Sequence, residues 1–305
     1  MRALIVDPEA PGRLRLGEAP DPQPAPGQVL VEVRHTSLNA AELWFAQRAA
    51  PGEVIGYDAV GVVVAAAEGT GPAVGSRVVG FAEGGGFGAL RAMDVADVAV
   101  VPDGVDLGEA AALPVAAGTA LRALDQAGPL LGRRVLVTGA SGGVGGFAVQ
   151  LAGLGGAHVI GVAGSEDGRR WVSELGADEA VGGVDRVAEP VDVVIDTVGG
   201  EQLAAAYGLL ASGGSLQSIG WASGREAVLP VGSTLGSPAP KAIVSVYNGG
   251  GLTDRQAQLG RLLALVAAGK LRVPVGWRGP WDKIADAAEV LSSRRLRGKA
   301  VLDVT

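Results

Sequence analysis

The sequence predicts an α/β protein with two architectures, a barrel-like or sandwich β portion and a doubly wound parallel sheet. Three observations carry this. Residues 1–110 hold short apolar runs punctuated by Gly and Pro. From residue 134 to 219, apolar runs alternate with helical stretches, and those runs are apolar throughout, as strands covered on both faces are. At the head of that region lies V-L-V-T-G-A-S-G-G-V-G-G-F-A-V-Q-L-A, Val135–Ala152, a strand that runs through clustered glycines into a helix.

The elements follow in order. Met1–Asp7 alternates and is rich in strand formers, and Val29–His35 is a strand after the turn-forming D-P-Q-P-A-P-G at 21–27. Asn39–Gln47 reads as a short helix, and Val60–Ala66 and Arg77–Phe81 as strands bounded by Gly. Leu107–Ala127 is Ala/Leu-rich and mostly helical around Pro114 and Gly118. Strands at Arg134–Thr138, Ala157–Ala163, Val191–Asp196 and Ser215–Ile219 alternate with helices at Gly142–Leu154, Arg169–Leu175 and Gln202–Leu210. The tail adds helices at Arg255–Ala268 and Lys283–Ser292 and a last strand, Lys299–Val304. Asn248–Gly251 (N-G-G-G) lacks a strand–turn–helix context and reads as a flexible turn.

Composition removes several function classes. There is no Cys, so disulfides, cysteine-ligated zinc, iron–sulfur clusters and cysteine nucleophiles are excluded. A net charge of −7 argues against nucleic-acid or anionic-membrane surfaces. The N-terminal M-R-A-L-I-V-D is too soon charged for a signal peptide, and Ala110–Leu124 is too short and Pro-broken to span a bilayer. A cytoplasmic protein is the expectation. Gly is 50 of 305 residues, about 16% against a usual ~7%, which calls for tight turns or close backbone approach to a ligand.

The glycine turn reads as the site for such a ligand, a nucleotide, with a tight structural turn as the alternative. Gly142, Gly143 and Gly145 can bring backbone N–H groups to a diphosphate at the positive end of a helix, and Gly145 permits close helix–strand packing. Ala140 stands where the usual G-x-G-x-x-G spacing has its first glycine. The second strand ends V-A-G-S, Val162–Ser165, without the carboxylate that would bind a ribose 2′-hydroxyl. Ser165 with Arg169 and Arg170 suits a 2′-phosphate, with Glu166 and Asp167 opposing. NADPH is therefore favoured, and NADH stays open.

Together these segments resemble the medium-chain dehydrogenase/reductase superfamily, in its zinc-independent quinone oxidoreductase branch, which includes enoyl reductases. The resemblance runs over nearly the whole chain. It rests on S-L-N-A-A-E (Ser37–Glu42), I-G-Y-D-A-V-G-V-V (Ile55–Val63), the Pro102–Ala120 segment and A-S-G-G-V-G-G-F-A-V-Q-L-A (Ala140–Ala152). L-G-A-D (Leu175–Asp178), V-V-I-D-T-V-G-G (Val193–Gly200), A-A-G-K-L (Ala267–Leu271) and G-K-A-V-L (Gly298–Leu302) follow in family order. It implies a GroES-like β-barrel catalytic domain from 1–115 and 247–305, a Rossmann cofactor domain at 116–246, an active-site cleft between them and a homodimer. It also implies cofactor contacts from Ala140, Ser141, Gly142, Gly143, Val144 and Gly145, and from Ser165, Arg169, Val198, Gly220 and Lys299. In zinc-dependent relatives the catalytic metal takes a Cys, a His and a second Cys. The resemblance puts Asn39, Tyr57 and Val115 at those positions, so no metal is expected. Gly182 and Gly183 replace an aromatic-containing turn that often helps hold the 2′-phosphate.

Without a metal, the chemistry rests on the cofactor's hydride, with the protein orienting substrate and guiding a proton. In enone reduction an enolate develops on oxygen and wants a donor. Asn39 resembles the family asparagine near the nicotinamide and could donate its amide, or be a turn-forming residue at a helix start. Thr119 resembles the hinge threonine, or back-bonds to its helix. Tyr57 is a candidate acid, or an aromatic wall of the substrate pocket. Trp44 and Trp221 are candidates for that pocket, which would suit a planar quinone or enone. Asp58 reads as a brace of the barrel, His158 as a packed or capped residue, and His35 as near Ser37–Asn39. The leading expectation is an NADPH-dependent reductase of quinones or α,β-unsaturated carbonyls. The alternatives are a ketone or imine reductase and a cofactor-binding protein with little turnover.

Overall fold

The apolar runs of residues 1–110 become strands β1 (Arg2–Val6), β2 (Leu14–Glu18), β3 (Gln28–Leu38), β4 (Asp58–Ala66), β5 (Arg77–Phe81), β6 (Leu90–Asp94) and β7 (Val98–Val100). The computed structural model describes residues 1–66 and 71–305. In β3, Val29, Val31 and Val33 turn inward and Glu32 and Arg34 outward, the two-residue period of a half-buried strand. Those valines pack with Ala59, Val63, Val78, Met93 and Val98. The register between β3 and β4 shifts twice, and Gly61 lies so close to β3 that a Cβ there would fall 1.9 Å from the Glu32 carbonyl oxygen. Helix α1 (Ala40–Ala46) follows β3, and α2 (Leu107–Ala111) begins at Asp106, whose carboxylate accepts from the Glu109 N–H at 3.0 Å. The expected single helical stretch from 107 is interrupted by a π-helical turn, Leu113–Ala117. Pro114 has no N–H to give the ladder, and Val115 turns its N–H to Asp58 Oδ1 at 2.9 Å.

Helix α3 (Gly118–Ala127) leads into β8 (Arg134–Val137), α4 (Gly143–Leu154), β9 (His158–Val162), α5 (Glu166–Glu174), β10 (Glu179–Val181), β11 (Val191–Asp196), α6 (Gly200–Gly208), β12 (Leu210–Ser218) and β13 (Ala242–Ser245). Every strand pair is parallel, in the order β10-β9-β8-β11-β12-β13. The chain winds outward from β8 to one side and then returns to β11 on the other. The switch point therefore lies at the carboxyl ends of β8 and β11, where open sheets of this kind bind ligands. Leu136, Ile160, Val194 and Leu216 are fully buried on the strands. Strand β12 starts well before the expected Ser215, because A-S-G-G carries too few apolar residues to read as a strand. His158, expected to be packed or capped, is 40% exposed on its side chain with Nε2 2.7 Å from Glu179 Oε1, so it is not a packed core residue.

The tail returns with α7 (Arg255–Ala267), β14 (Val275–Pro280), α8 (Ile284–Ser292) and β15 (Lys299–Asp303). Strand β15 pairs antiparallel with β3, giving a seven-stranded sheet of order β14-β15-β3-β4-β5-β7, with β6 on β3. The chain thus divides into two compact units, Met1–Gly118 with Asn248–Thr305, and Thr119–Tyr247. The N-G-G-G turn is tied down rather than flexible. Asn248 Nδ2 donates to the carbonyls of Pro114 and Val115 at 3.2 and 3.3 Å, and the Gly250 N–H donates to Glu83 Oε1 at 2.8 Å. No helix of the described residues is long and apolar enough to cross a membrane.

Candidate functional site

In the unit Thr119–Tyr247, the glycine turn joins β8 to α4. Gly139 has φ of +61°, which turns the chain sharply, and Gly142 is the N-cap of α4. A Cβ on Gly145 would lie 2.2 Å from the Gly139 carbonyl oxygen and 2.7 Å from Ala140 Cα, so only glycine lets the helix pack this closely on the turn. Ala140, in place of the usual glycine, is fully buried. Ser141, Gly142, Gly143 and Val144 stay partly open at the helix start, where free N–H groups and the helix dipole favour an anion.

The loop after β11 lies against that turn. Thr197 Oγ1 donates to the Thr138 carbonyl at 2.9 Å, and Thr138 Oγ1 donates to Asp196 Oδ1 at 2.6 Å. The other Asp196 oxygen accepts the Gly199 N–H at 2.9 Å. Burial raises the Asp196 carboxyl above its ordinary range, against those hydrogen bonds. The loop after β12 joins the group, with the Ser223 N–H on the Val198 carbonyl at 2.8 Å and the Trp221 ring against Gly199. Val198, Gly220 and Trp221 therefore gather at the same strand ends as the glycine turn. Thr119 sits in the first turn of α3, 8% exposed.

After β9, Ser165 caps α5, accepting the Gly168 N–H at 3.0 Å. Arg170 is paired with Asp167. Arg169 lies with Nη1 3.5 Å from the carbonyls of both Ala163 and Gly164, with no carboxylate partner among the described residues. Of the two arginines, Arg169 is the one with charge to offer a phosphate.

In the other unit, a buried polar network gathers around Asn39. Glu42 Oε2 accepts the Asn39 N–H at 2.8 Å, and Oε1 accepts Asn39 Nδ2 at 3.1 Å and the Tyr57 N–H at 3.3 Å. Asp58 Oδ2 accepts Asn39 Nδ2 at 2.9 Å and the Ser37 hydroxyl. Lys299 Nζ donates to Asn39 Oδ1 and to the Leu38 carbonyl, and lies 3.9 Å from Asp58 Oδ2. Asn39 is 9% exposed, Lys299 2%, Glu42 1% and Asp58 0%. Burial, then the Asp58 charge, push the Glu42 carboxyl up to about 7.

This network engages two of the expected site residues. Both Asn39 amide protons are engaged by carboxylates, so its amide has no donor left for a substrate oxygen. Lys299, expected among the cofactor contacts, turns its ammonium inward to Asn39 and toward Asp58, where it balances buried carboxylates. The Asn39–Glu42 spacing is a capping-box signal that the sequence carried openly; the ammonium from β15, far along the chain, had no local signal.

Beside the network lies an aromatic group. Tyr57 stacks on Phe81 at 5.4 Å and 3°, Phe45 meets Tyr57 edge-on at 5.9 Å, and Trp44 meets Phe45 edge-on at 4.9 Å. Trp44 is half exposed, with the Arg48 guanidinium 3.7 Å over its ring. Burial, then Glu42 and Glu83, raise the Tyr57 phenol above its ordinary value. The phenol is held protonated, which favours a hydrogen-bond donor over an acid that releases its proton. His35 is engaged with Asp303 at 2.8 Å. Among the described residues no three His, Cys, Asp or Glu gather in a group able to hold a metal ion.

Comparison with known proteins agrees with this arrangement. Residues 25–103 match the alcohol dehydrogenase GroES-like domain, and residues 175–302 match the zinc-binding dehydrogenase family. A probable mitochondrial zinc-binding oxidoreductase of Arthroderma benhamiae is 31% identical over 93% of this chain and 91% of its own length. The chain belongs to the medium-chain dehydrogenase/reductase superfamily. As an oxidoreductase of that superfamily it is also similar to acryloyl-coenzyme A reductase of Metallosphaera sedula, 29% identical over 99% of both chains. Mycobacterial Rv1454c, solved in complex with NADPH, has the same fold, with a TM-score of 0.89 and 26% identity over 99% of this chain and all of that one. Several polyketide synthases match as well, but the chain spans only 5% to 15% of their lengths.

Proposed function

We propose that this protein is an NADPH-dependent reductase that delivers hydride to an α,β-unsaturated carbonyl compound or a quinone, without zinc. The observation that carries the reading is the closed network around Asn39. Of the three positions that resemble zinc ligands, Val115 has no ligating side chain, the Asn39 amide is fully engaged, and Tyr57 is a phenol held protonated. A zinc ion does not fit that donor set, so the polarising group must be a hydrogen-bond donor. The similarity to acryloyl-coenzyme A reductase supports a conjugated carbonyl as acceptor.

NADPH supplies the hydride when bound. Gly143 and Val144, in the first turn of α4, present N–H groups to its diphosphate, Ser141 and Gly142 line the turn beside them, and Gly145 lets α4 come close enough for them to do so. Ser165 and Arg169 hold the 2′-phosphate, a role supported by Arg169 having no carboxylate partner among the described residues. Val198, Gly220 and Trp221 border the nicotinamide, and Thr119 orients it. As hydride reaches the β-carbon, charge grows on the substrate oxygen, and the Tyr57 hydroxyl donates a hydrogen bond to it. Water, not Tyr57, supplies the final proton to the α-carbon. Trp44 and Phe45 form the apolar wall.

The test is turnover of NADPH and NADH against a panel of quinones, enones, enoyl thioesters and saturated ketones. Conjugated acceptors with an NADPH preference are expected; turnover of saturated ketones alone overturns the reading. Tyr57→Phe lowers kcat by about a hundred- to a thousand-fold, the loss of one donor at a developing charge. An unchanged kcat removes Tyr57 from the mechanism.

A further inference from the structure

Helix α7 begins with a cation that the proposed reaction does not use. Arg255 is 0% exposed. Its Nε donates to Asp97 Oδ1 at 3.0 Å, Nη1 to Asn248 Oδ1 at 3.2 Å, and Nη2 to the Gly249 carbonyl. The guanidinium carbon stands 3.9 Å over the Phe81 ring, the ring on which Tyr57 is stacked. The turn that Arg255 grips also carries the Gly250 N–H to Glu83, and the Glu83 charge is one of those that keep the Tyr57 phenol protonated.

We propose that Arg255 is a positioning residue for Tyr57, acting through the Phe81 ring and through the Asn248–Gly251 turn. The proposal rests on the reading of Tyr57 as the hydrogen-bond donor. A planar guanidinium is required because three directed contacts and a ring face are met at once. A lysine ammonium is a point charge on a flexible stem and meets only one or two of them. The Asp97 pair fixes the guanidinium in its plane, the ring face aligns Phe81, and the turn fixes the Glu83 carboxylate beside the phenol. Loss of the fork leaves the charge in place but frees the ring stack and the carboxylate to shift together. The N-G-G-G sequence is therefore the flexible-looking half of a rigid support.

The experiment uses the full-length protein labelled with 3-fluorotyrosine, which gives three fluorine resonances, from Tyr57, Tyr207 and Tyr247. Tyr57→Phe assigns its own signal. In Arg255→Lys the Tyr57 resonance is expected to shift or broaden while that of Tyr207, on α6, stays fixed; Tyr247 adjoins the turn and is no control. In the same variant, kcat for an enone falls about ten-fold and KM for NADPH stays within about two-fold. An unmoved Tyr57 resonance overturns the proposal, and so does movement of the Tyr207 resonance, which marks a general structural role. If Arg255→Lys does not fold, Asn248→Ala loosens the turn with the guanidinium kept, and the same spectrum decides. A wild-type enzyme inert to every conjugated acceptor refutes the proposed function, while the fluorine spectrum still decides the role of Arg255.

Discussion

Gly145→Ala isolates the contact on which cofactor binding depends. The added Cβ would lie 2.2 Å from the Gly139 carbonyl oxygen and 2.7 Å from Ala140 Cα, both backbone atoms that cannot rotate away. Side-chain carbons essentially never approach closer than 3.0 Å, so α4 must retreat by about 0.8 Å. Overpacking of this kind costs about 1–3 kcal/mol of stability. The retreat also carries the N–H groups of Gly143 and Val144 away from the proposed diphosphate site, and hydrogen bonds to a charged group are worth about 1.5–3 kcal/mol each. NADPH should bind about ten- to a hundred-fold more weakly. The assay is equilibrium titration of nicotinamide fluorescence, with a thermal melt on the same samples. Gly142→Ala is the comparison, because its Cβ would meet only the Gly139 oxygen, at 3.3 Å. It should weaken binding with little change in melting temperature. Native affinity and native melting temperature in Gly145→Ala would refute the close-packing argument.

Other expectations follow from the same geometry. Arg169→Ala should lower kcat/KM for NADPH about ten-fold or more and leave NADH nearly untouched, since only the 2′-phosphate loses a charged partner; equal losses with both cofactors sink the assignment. Glu42 is protonated more readily folded than unfolded, its carboxyl lying near 7 against an ordinary 4.5. The stability this provides is complete below about 4.5 and is lost as pH rises through about 7. Melting curves across that range should show the slope in the wild type and not in Glu42→Gln. Lys299→Met strands two buried carboxylates and should cost about 3–5 kcal/mol in denaturant unfolding, where a mere cofactor contact would cost almost nothing.

The doubly wound sheet was legible because its signals are local. V-L-V-T-G-A-S-G-G-V-G-G holds strand, turn and helix within a few residues, and the strands of V-D-V-V-I-D type are buried on both faces. Strands β2, β6 and β14 were not legible, since L-R-L-G-E, L-R-A-M-D and V-G-W-R-G-P owe their extended form to partners distant in sequence. The site divides the same way. The glycine turn reads directly. The engagement of Asn39 by Lys299 joins residues 260 positions apart, and no spacing rule reaches that far. Arg255 was hidden for a related reason: an arginine opening an amphipathic helix looks solvated until the helix is seen to bury it.

The unit that carries Asn39 is interrupted by the whole of the other. Thr119–Tyr247 is one continuous stretch and can close on itself while the ribosome is still adding residues. The first unit cannot. Its Glu42 and Asp58 are made early, but the ammonium that neutralises them arrives only with Lys299 on the last strand. Until then those carboxylates must remain hydrated, and β3 must keep open the edge that β15 will take. Synthesis order and assembly order therefore differ, and the half that holds the buried carboxylates is the last to become dry.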